Sequence, residues 1–141
     1  MTYARVFYLS VLFAMLSLGC NGTKPQQGAT SSVPATEATQ RMVGQWGIDG
    51  EVSLIIELDL DQVVIAAPDN DTWRMDILDA RIVDDAIHFT QKNYLHDGQS
   101  HPFNGVACNS VAKLVDDGTL ELGMTTVQMP EYESDLLTRI K

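Results

Sequence analysis

Thr72-Trp73-Arg74-Met75-Asp76-Ile77 alternates strictly, with Trp73, Met75 and Ile77 on one side and polar side chains on the other. A period of two is that of a half-buried strand, because successive side chains of a strand point to opposite faces. The same texture extends in both directions. Downstream, Ala80-Arg81-Ile82-Val83 and Ala86-Ile87-His88-Phe89-Thr90 flank Asp84-Asp85, which predicts a hairpin turn. Upstream, Val52-Ser53-Leu54-Ile55-Ile56-Glu57-Leu58 predicts a long strand and Gln62-Val63-Val64-Ile65-Ala66-Ala67 another. Pro68-Asp69-Asn70-Asp71 is a turn by composition. Residues 103–115 carry one or two strands, and Asp116-Asp117-Gly118 is a hairpin signal. Leu120, Leu122 and Met124 then share a face, and Leu136-Leu137-Thr138-Arg139-Ile140 predicts a last strand. About eight short strands between turn signals predict an all-β domain over residues 42–141. The expected architecture is a small antiparallel up-and-down barrel, with a β-sandwich as the alternative. No segment past residue 42 holds a helical period over about twelve residues.

The domain opens on Met42-Val43-Gly44-Gln45-Trp46. A Gly-x-Trp on a first strand, with Arg139 on the last, resembles the lipocalin-type (calycin) signature. In that superfamily the Trp plugs the closed end of an up-and-down barrel and a basic side chain of the last strand packs over it. The resemblance implies that Trp46 and Arg139 close the barrel here. Cation–π attraction of about 1 kcal/mol or more when shielded gives that pairing a physical basis. Joining first strand to last also removes the sheet edges. Residues 84–89, 103–106 and 116–123 further resemble the hairpins of small lipocalin-like domains of bacterial exported proteins.

The N-terminal segment is of a different kind. MTYARVFYLSVLFAMLSLGC carries Arg5 as its only charge, then an apolar run over residues 6–18. A positive start, an apolar run of this length and a small residue before a cut site predict a secretory signal over residues 1–19, placed as a signal helix ahead of the domain. The run is shorter than the ~20 residues that span a bilayer. Leu16-Ser17-Leu18-Gly19-Cys20 resembles the lipobox of bacterial lipoproteins, where the Cys becomes the first mature residue and carries diacylglycerol. The resemblance implies lipidation at Cys20, a membrane partner held through that lipid, and the outer membrane or periplasmic face of a bacterial envelope. An ordinary signal with an incidental Cys is the alternative. Residues 20–41 are rich in Thr, Ser, Gln, Pro, Gly and Ala and nearly free of large apolar side chains, so they are expected to be a disordered, flexible tether.

Charge narrows the function. The 141 residues hold 19 acids and 9 bases, a formal charge of −10. From residue 42 onward 18 acids face 6 bases, so the acidity belongs to the folded part. Nucleic acid is therefore not an expected partner, since binding phosphates needs a basic face. With Cys20 lipidated, Cys108 is the remaining thiol, expected as a small buried hydrophobe within Val106-Ala107-Cys108. No Gly-x-Ser-x-Gly elbow is present. Asp84-Asp85 and Asp116-Asp117 sit in predicted turns, where Asp is favoured locally. Asp69-Asn70-Asp71 lacks the frame of a calcium loop. His96, Asp97 and His101 lack an obvious fourth zinc ligand. His88 is expected to face solvent or the far side of its sheet. No cofactor, metal or catalytic residue is expected. Two functions stay open: a barrel whose mouth binds a small apolar ligand, and an interaction or structural lipoprotein whose acidic surface meets a basic protein partner.

Overall fold

The protein is described by a computed structural model over residues 28–68, 73–96, 104–126 and 133–141. Its elements are β1 (Ala29–Pro34), α1 (Glu37–Gln40), β2 (Gly44–Ile48), β3 (Glu51–Asp59), β4 (Gln62–Ala66), β5 (Trp73–Val83), β6 (Ala86–Leu95), β7 (Ala107–Asp116), β8 (Thr119–Thr125) and β9 (Glu133–Arg139). All nine strands form one sheet in the order β1-β4-β3-β2-β9-β8-β7-β6-β5, and every ladder is antiparallel. β2 to β9 are the eight strands of an up-and-down meander. It is opened between β4 and β5, and joined first to last where Trp46 pairs with Arg139 and Gly47 with Thr138. The fold is thus all-β, and the sheet curls into a nearly closed barrel compatible with a lipocalin-like fold.

Local chemistry accounts for the turns. Asp49 and Gly50 take φ of 53° and 83° between β2 and β3, and Asp84 and Asp85 take 49° and 61° between β5 and β6. Positive φ at both central residues gives a turn whose twist matches that of the flanking strands, and Asp and Gly tolerate it. The Asp116-Asp117-Gly118 turn works differently. There Asp116 Oδ1 accepts the Gly118 N–H at 2.8 Å, a side chain standing in for a backbone turn.

The strands predicted at residues 72–77 and 80–83 are one strand, β5. Its register against β6 shifts between Leu78 and Arg81, where Asp79 has φ 53°. The extra residue keeps Ile77 and Ala80 both in the buried core, which a regular pleat over that spacing would not do. β6 runs five residues past the predicted Thr90. Its later inward positions are Gln91 and Asn93, so polar side chains hide the strand from an apolar count.

The tether expected over residues 20–41 needs correction. Residues 29–34 form β1, which pairs with β4 through Ala29↔Ile65, Thr30↔Val64 and Pro34↔Gln62 and packs beside β5. Small side chains suffice because the strand is held by its backbone. Ser31, 1% exposed, accepts the Val63 N–H at 3.1 Å and donates to the Val33 carbonyl at 2.9 Å. α1 follows, capped by Thr36 and Thr39 in a reciprocal box. The folded domain therefore begins before residue 42. Cys20 and the predicted signal at residues 1–19 lie outside the described residues.

Strand alternation defines two ends. The turns β3–β4, β5–β6 and β7–β8, together with α1 and the C-terminus, lie at one end, the base. The β2–β3 turn, the start of β1, the ends of β4, β6 and β8 and the starts of β5, β7 and β9 lie at the other, the mouth.

A chain starting at residue 28 is expected to stay folded and monomeric. One starting at residue 42 leaves the β4 edge unpaired and is expected to melt lower and to aggregate. Size-exclusion chromatography and thermal melts of the two chains check this.

Candidate functional site

The base is built from the first and last strands. Trp46 is fully buried, and its Nε1 donates to the Met42 carbonyl at 2.7 Å. The structure brings Arg139 over it, with Cζ 4.2 Å from the ring centroid. The guanidinium also donates to three backbone carbonyls. Nη1 reaches Val43 at 2.6 Å, Nη2 reaches Arg41 at 2.6 Å, and Nε reaches Asp117 at 2.8 Å. One side chain thus ties the entry to β2 to the β7–β8 turn. Gly44 is required there, since at φ 146° a Cβ would press on Arg139 Nη1 at 2.7 Å and on the Lys141 carbonyl. Arg41 Nε adds a hydrogen bond to Asp117 Oδ1 at 3.1 Å across the surface of the base. That hydrogen bond first, and the Arg41 charge second, hold the Asp117 carboxyl below the usual carboxylate range.

Above Trp46 the interior is filled. Leu54, Ile56, Ile65, Ile77, Ile87, Leu120 and Leu137 are each at most 1% exposed. Toward the mouth the inner face turns polar. Ser110 Oγ donates to Gln91 Oε1 at 3.0 Å, and Gln91 Nε2 donates to Met124 Sδ at 3.2 Å. Both Gln91 and Ser110 are 1% exposed, so this is a buried and partnered relay. Asn93, the next inward position of β6, differs. Its backbone carbonyl accepts the Gly105 N–H at 2.7 Å, but its side-chain Oδ1 is buried with no hydrogen-bond partner among the described residues. A buried acceptor left unmet costs about 1–3 kcal/mol.

Asn93 borders a recess of about 210 Å³ in the mouth, whose other walls are Val52, Ala67, Pro68, Trp73 and Met75 with the polar Glu51 and Ser53. Ligand pockets of ~300–1,000 Å³ hold drug-sized molecules, so this recess suits something smaller, about one ring or a short chain. Sequence reasoning placed Trp73 and Met75 on a core face and missed Asn93. The available signal was the alternation of β6 carried past Thr90 with polar residues at the inward positions.

A larger concavity, about 840 Å³, lies outside the barrel. Among the described residues its lining combines polar residues of the outer face, such as Arg81, His88, Thr90 and Asn109, with Ala80, Phe89 and Val111. His88 is half-buried there, opposite Arg81 and Val111. Cys108 is 4% exposed, and burial pushes its thiol pKa up, which lowers its thiolate fraction. Among the described residues no three His, Cys, Asp or Glu side chains gather as metal ligands. Asp97 and His101 of the imagined zinc set, and Asp69-Asn70-Asp71, lie outside the described residues. Among the described residues no helix is long and apolar enough to cross a membrane.

Comparison of the chain with family models, curated proteins and solved structures finds no match. The class of the protein therefore rests on its architecture, a nine-stranded antiparallel barrel sealed at its base by an arginine-capped tryptophan.

Trp46→Ala is expected to destabilise the domain by ~3–5 kcal/mol, as loss of a buried indole does, read from denaturant melts. The Arg41–Asp117 pair has a pH signature. Because the folded carboxyl titrates below its ordinary 3.8, its contribution is complete above that value and fades as pH falls through the lowered one. Asp117→Asn is therefore expected to melt below the native protein at neutral pH and to converge with it in strong acid.

Proposed function

We propose that this is an exported, lipid-anchored protein of the bacterial envelope whose small lipocalin-like barrel is a non-catalytic binding module, taking a small apolar ligand at its mouth. One observation carries the proposal: the barrel is plugged at its base by Trp46 and Arg139 and keeps a recess among Ala67, Trp73 and Met75 at the opposite end. The arrangement suits binding rather than turnover. The recess has Val52, Ala67, Pro68, Trp73 and Met75 as apolar walls, with Glu51, Ser53 and Asn93 as its polar ones, and Cys108 is buried with its pKa raised.

The anchor and the mouth fit together. β1 begins at the mouth end, and eight residues lie between Cys20 and Ala29. At ~3.6 Å per residue the acyl group is within about 30 Å of the point where the chain joins the barrel. A mouth held that close to a bilayer meets small apolar molecules where they concentrate. The base, with Asp59, Asp61, Asp84, Asp85 and Asp116 at its turns, points the other way. That acidic end favours a second function, contact with a basic protein partner.

Two measurements test the proposal. Cys20→Ser is expected to abolish metabolic palmitate labelling and to shift the protein from the membrane to the soluble fraction; unchanged labelling rejects the anchor. Titration of the purified protein with small aromatic compounds is expected to perturb the NMR signals of Trp73 and Met75. Silence there, with perturbation of the base turns by a basic peptide, favours the second function.

A further inference from the structure

Among the described residues the non-glycines at positive φ are Asp49, Leu60, Asp79, Asp84 and Asp85. Four are Asp, whose short polar side chain tolerates that backbone region, and the fifth is a leucine at φ 56° in the β3–β4 turn. Leu60 is also 92% exposed, so its side chain adds nothing to the core. We propose that Leu60 anchors an apolar docking surface at the base of the barrel, whose occupant is a cationic amphipathic segment of another protein, with Lys or Arg beside aliphatic side chains. This rests on the second function set out above, contact of the acidic end with a basic protein, and goes on to name how that partner is held.

The same pairing of residue types recurs around the base. Leu58 and Leu60 alternate with Asp59 and Asp61 at the β3–β4 turn, Val83 precedes Asp84-Asp85, and Val115 precedes Asp116-Asp117. Val33 stands at the base end of β1, whose Pro34 pairs with Gln62. Seven large aliphatic residues are exposed among the described residues, and these five share the base, while Ile48 lies at the mouth and Leu136 midway along β9. Exposed apolar residues scattered singly need no explanation, but a set gathered at one end marks an interaction surface. Turn chemistry accounts for the aspartates. It does not account for the aliphatic side chains beside them, least of all a leucine held at positive φ. Charge selects the occupant. Asp59, Asp61, Asp84 and Asp85 form no side-chain hydrogen bond or ion pair among the described residues. The base arginines are engaged, Arg41 by Asp117 and Arg139 by the Trp46 ring and backbone carbonyls. An anionic bilayer surface, or the same acidic end of a second copy, is repelled by those free carboxylates. A segment with cations next to aliphatic side chains answers both features at once. It neutralises the carboxylates and takes the exposed hydrocarbon out of water. Leu60, the most exposed of the five, has the most to bury and is therefore the anchor.

The probes are an amphipathic helical peptide of Leu and Lys and the same peptide with every Leu replaced by Gln, which keeps length and charge. Binding of each to the purified full chain is measured by NMR titration, following the signals of the base turns. The Leu/Lys peptide is expected to bind there at least about tenfold more tightly than the Gln/Lys peptide. Leu60→Asn is expected to weaken the Leu/Lys peptide at least about fivefold and to leave the Gln/Lys peptide unchanged. That variant is also expected to melt no lower than the native protein, because Asn tolerates positive φ. Ile48→Thr, at the mouth, is expected to change neither affinity. Equal affinity of the two peptides for the native protein overturns the apolar docking surface and leaves the base as an acidic contact for a basic protein. Leu/Lys binding that Leu60→Asn leaves intact, or that Ile48→Thr weakens as much, overturns the docking surface too. A Leu60→Asn variant that melts well below the native protein places Leu60 in the service of the fold and likewise overturns the assignment. Failure of both peptides to perturb the base turns at millimolar concentration overturns the docking surface and the second function together. The comparison of peptides on the native protein decides the matter even where a variant does not fold.

Discussion

The guanidinium of Arg139 lying on the indole of Trp46 is the contact on which the rest of the barrel depends. It joins the last strand to the first, at the ladder where β2 pairs with β9. The same side chain fills three carbonyls at the entry to β2 and in the β7–β8 turn. Cation–π attraction, charge-assisted hydrogen bonds and the steric demand on Gly44 therefore converge on one spot. A Lys in its place would keep the charge but lose the planar fork that reaches three acceptors at once.

Sealing one side leaves the other to be managed. β4 and β5 do not pair, and an open edge on each would invite association. β1 sits in that gap, hydrogen-bonded to β4 and packed beside β5. Its Ala, Thr and Ser side chains are small enough to lie between two strands already facing a full core. The chain then crosses the base through α1 before β2 begins. Closure of the barrel is thus shared between an interaction at the C-terminus and a strand contributed by the N-terminus. What stays open is the mouth, where the inner face of β6 changes from aliphatic to polar at Gln91 and Asn93.

Much of this was legible in the residues. Alternation at Trp73, Met75 and Ile77 and at Leu120, Leu122 and Met124 marks inner faces directly, since a period of two admits no other regular structure. Asp84-Asp85 and Asp116-Asp117-Gly118 mark hairpins, although the two turns use different physics. β1 was not legible, because a strand held by backbone bonds and small side chains has the composition of a linker. Nor was the end of β6, because Gln91 and Asn93 occupy inward positions that an apolar count treats as outward. The bulge at Asp79 likewise splits one strand into two on paper.

The sequence by itself determined the class of structure, the periodicity of most strands and the acidity of the folded part. These depend on neighbours along the chain, and local sterics and side-chain polarity are enough to set them. Only the tertiary structure decided that β1 belongs to the barrel, that the larger concavity lies outside it, and that Asn93 borders the recess in the mouth. Each of those turns on which groups meet across a curled sheet, and hydrogen-bond satisfaction between residues far apart in the chain has no signature in the order of the residues themselves.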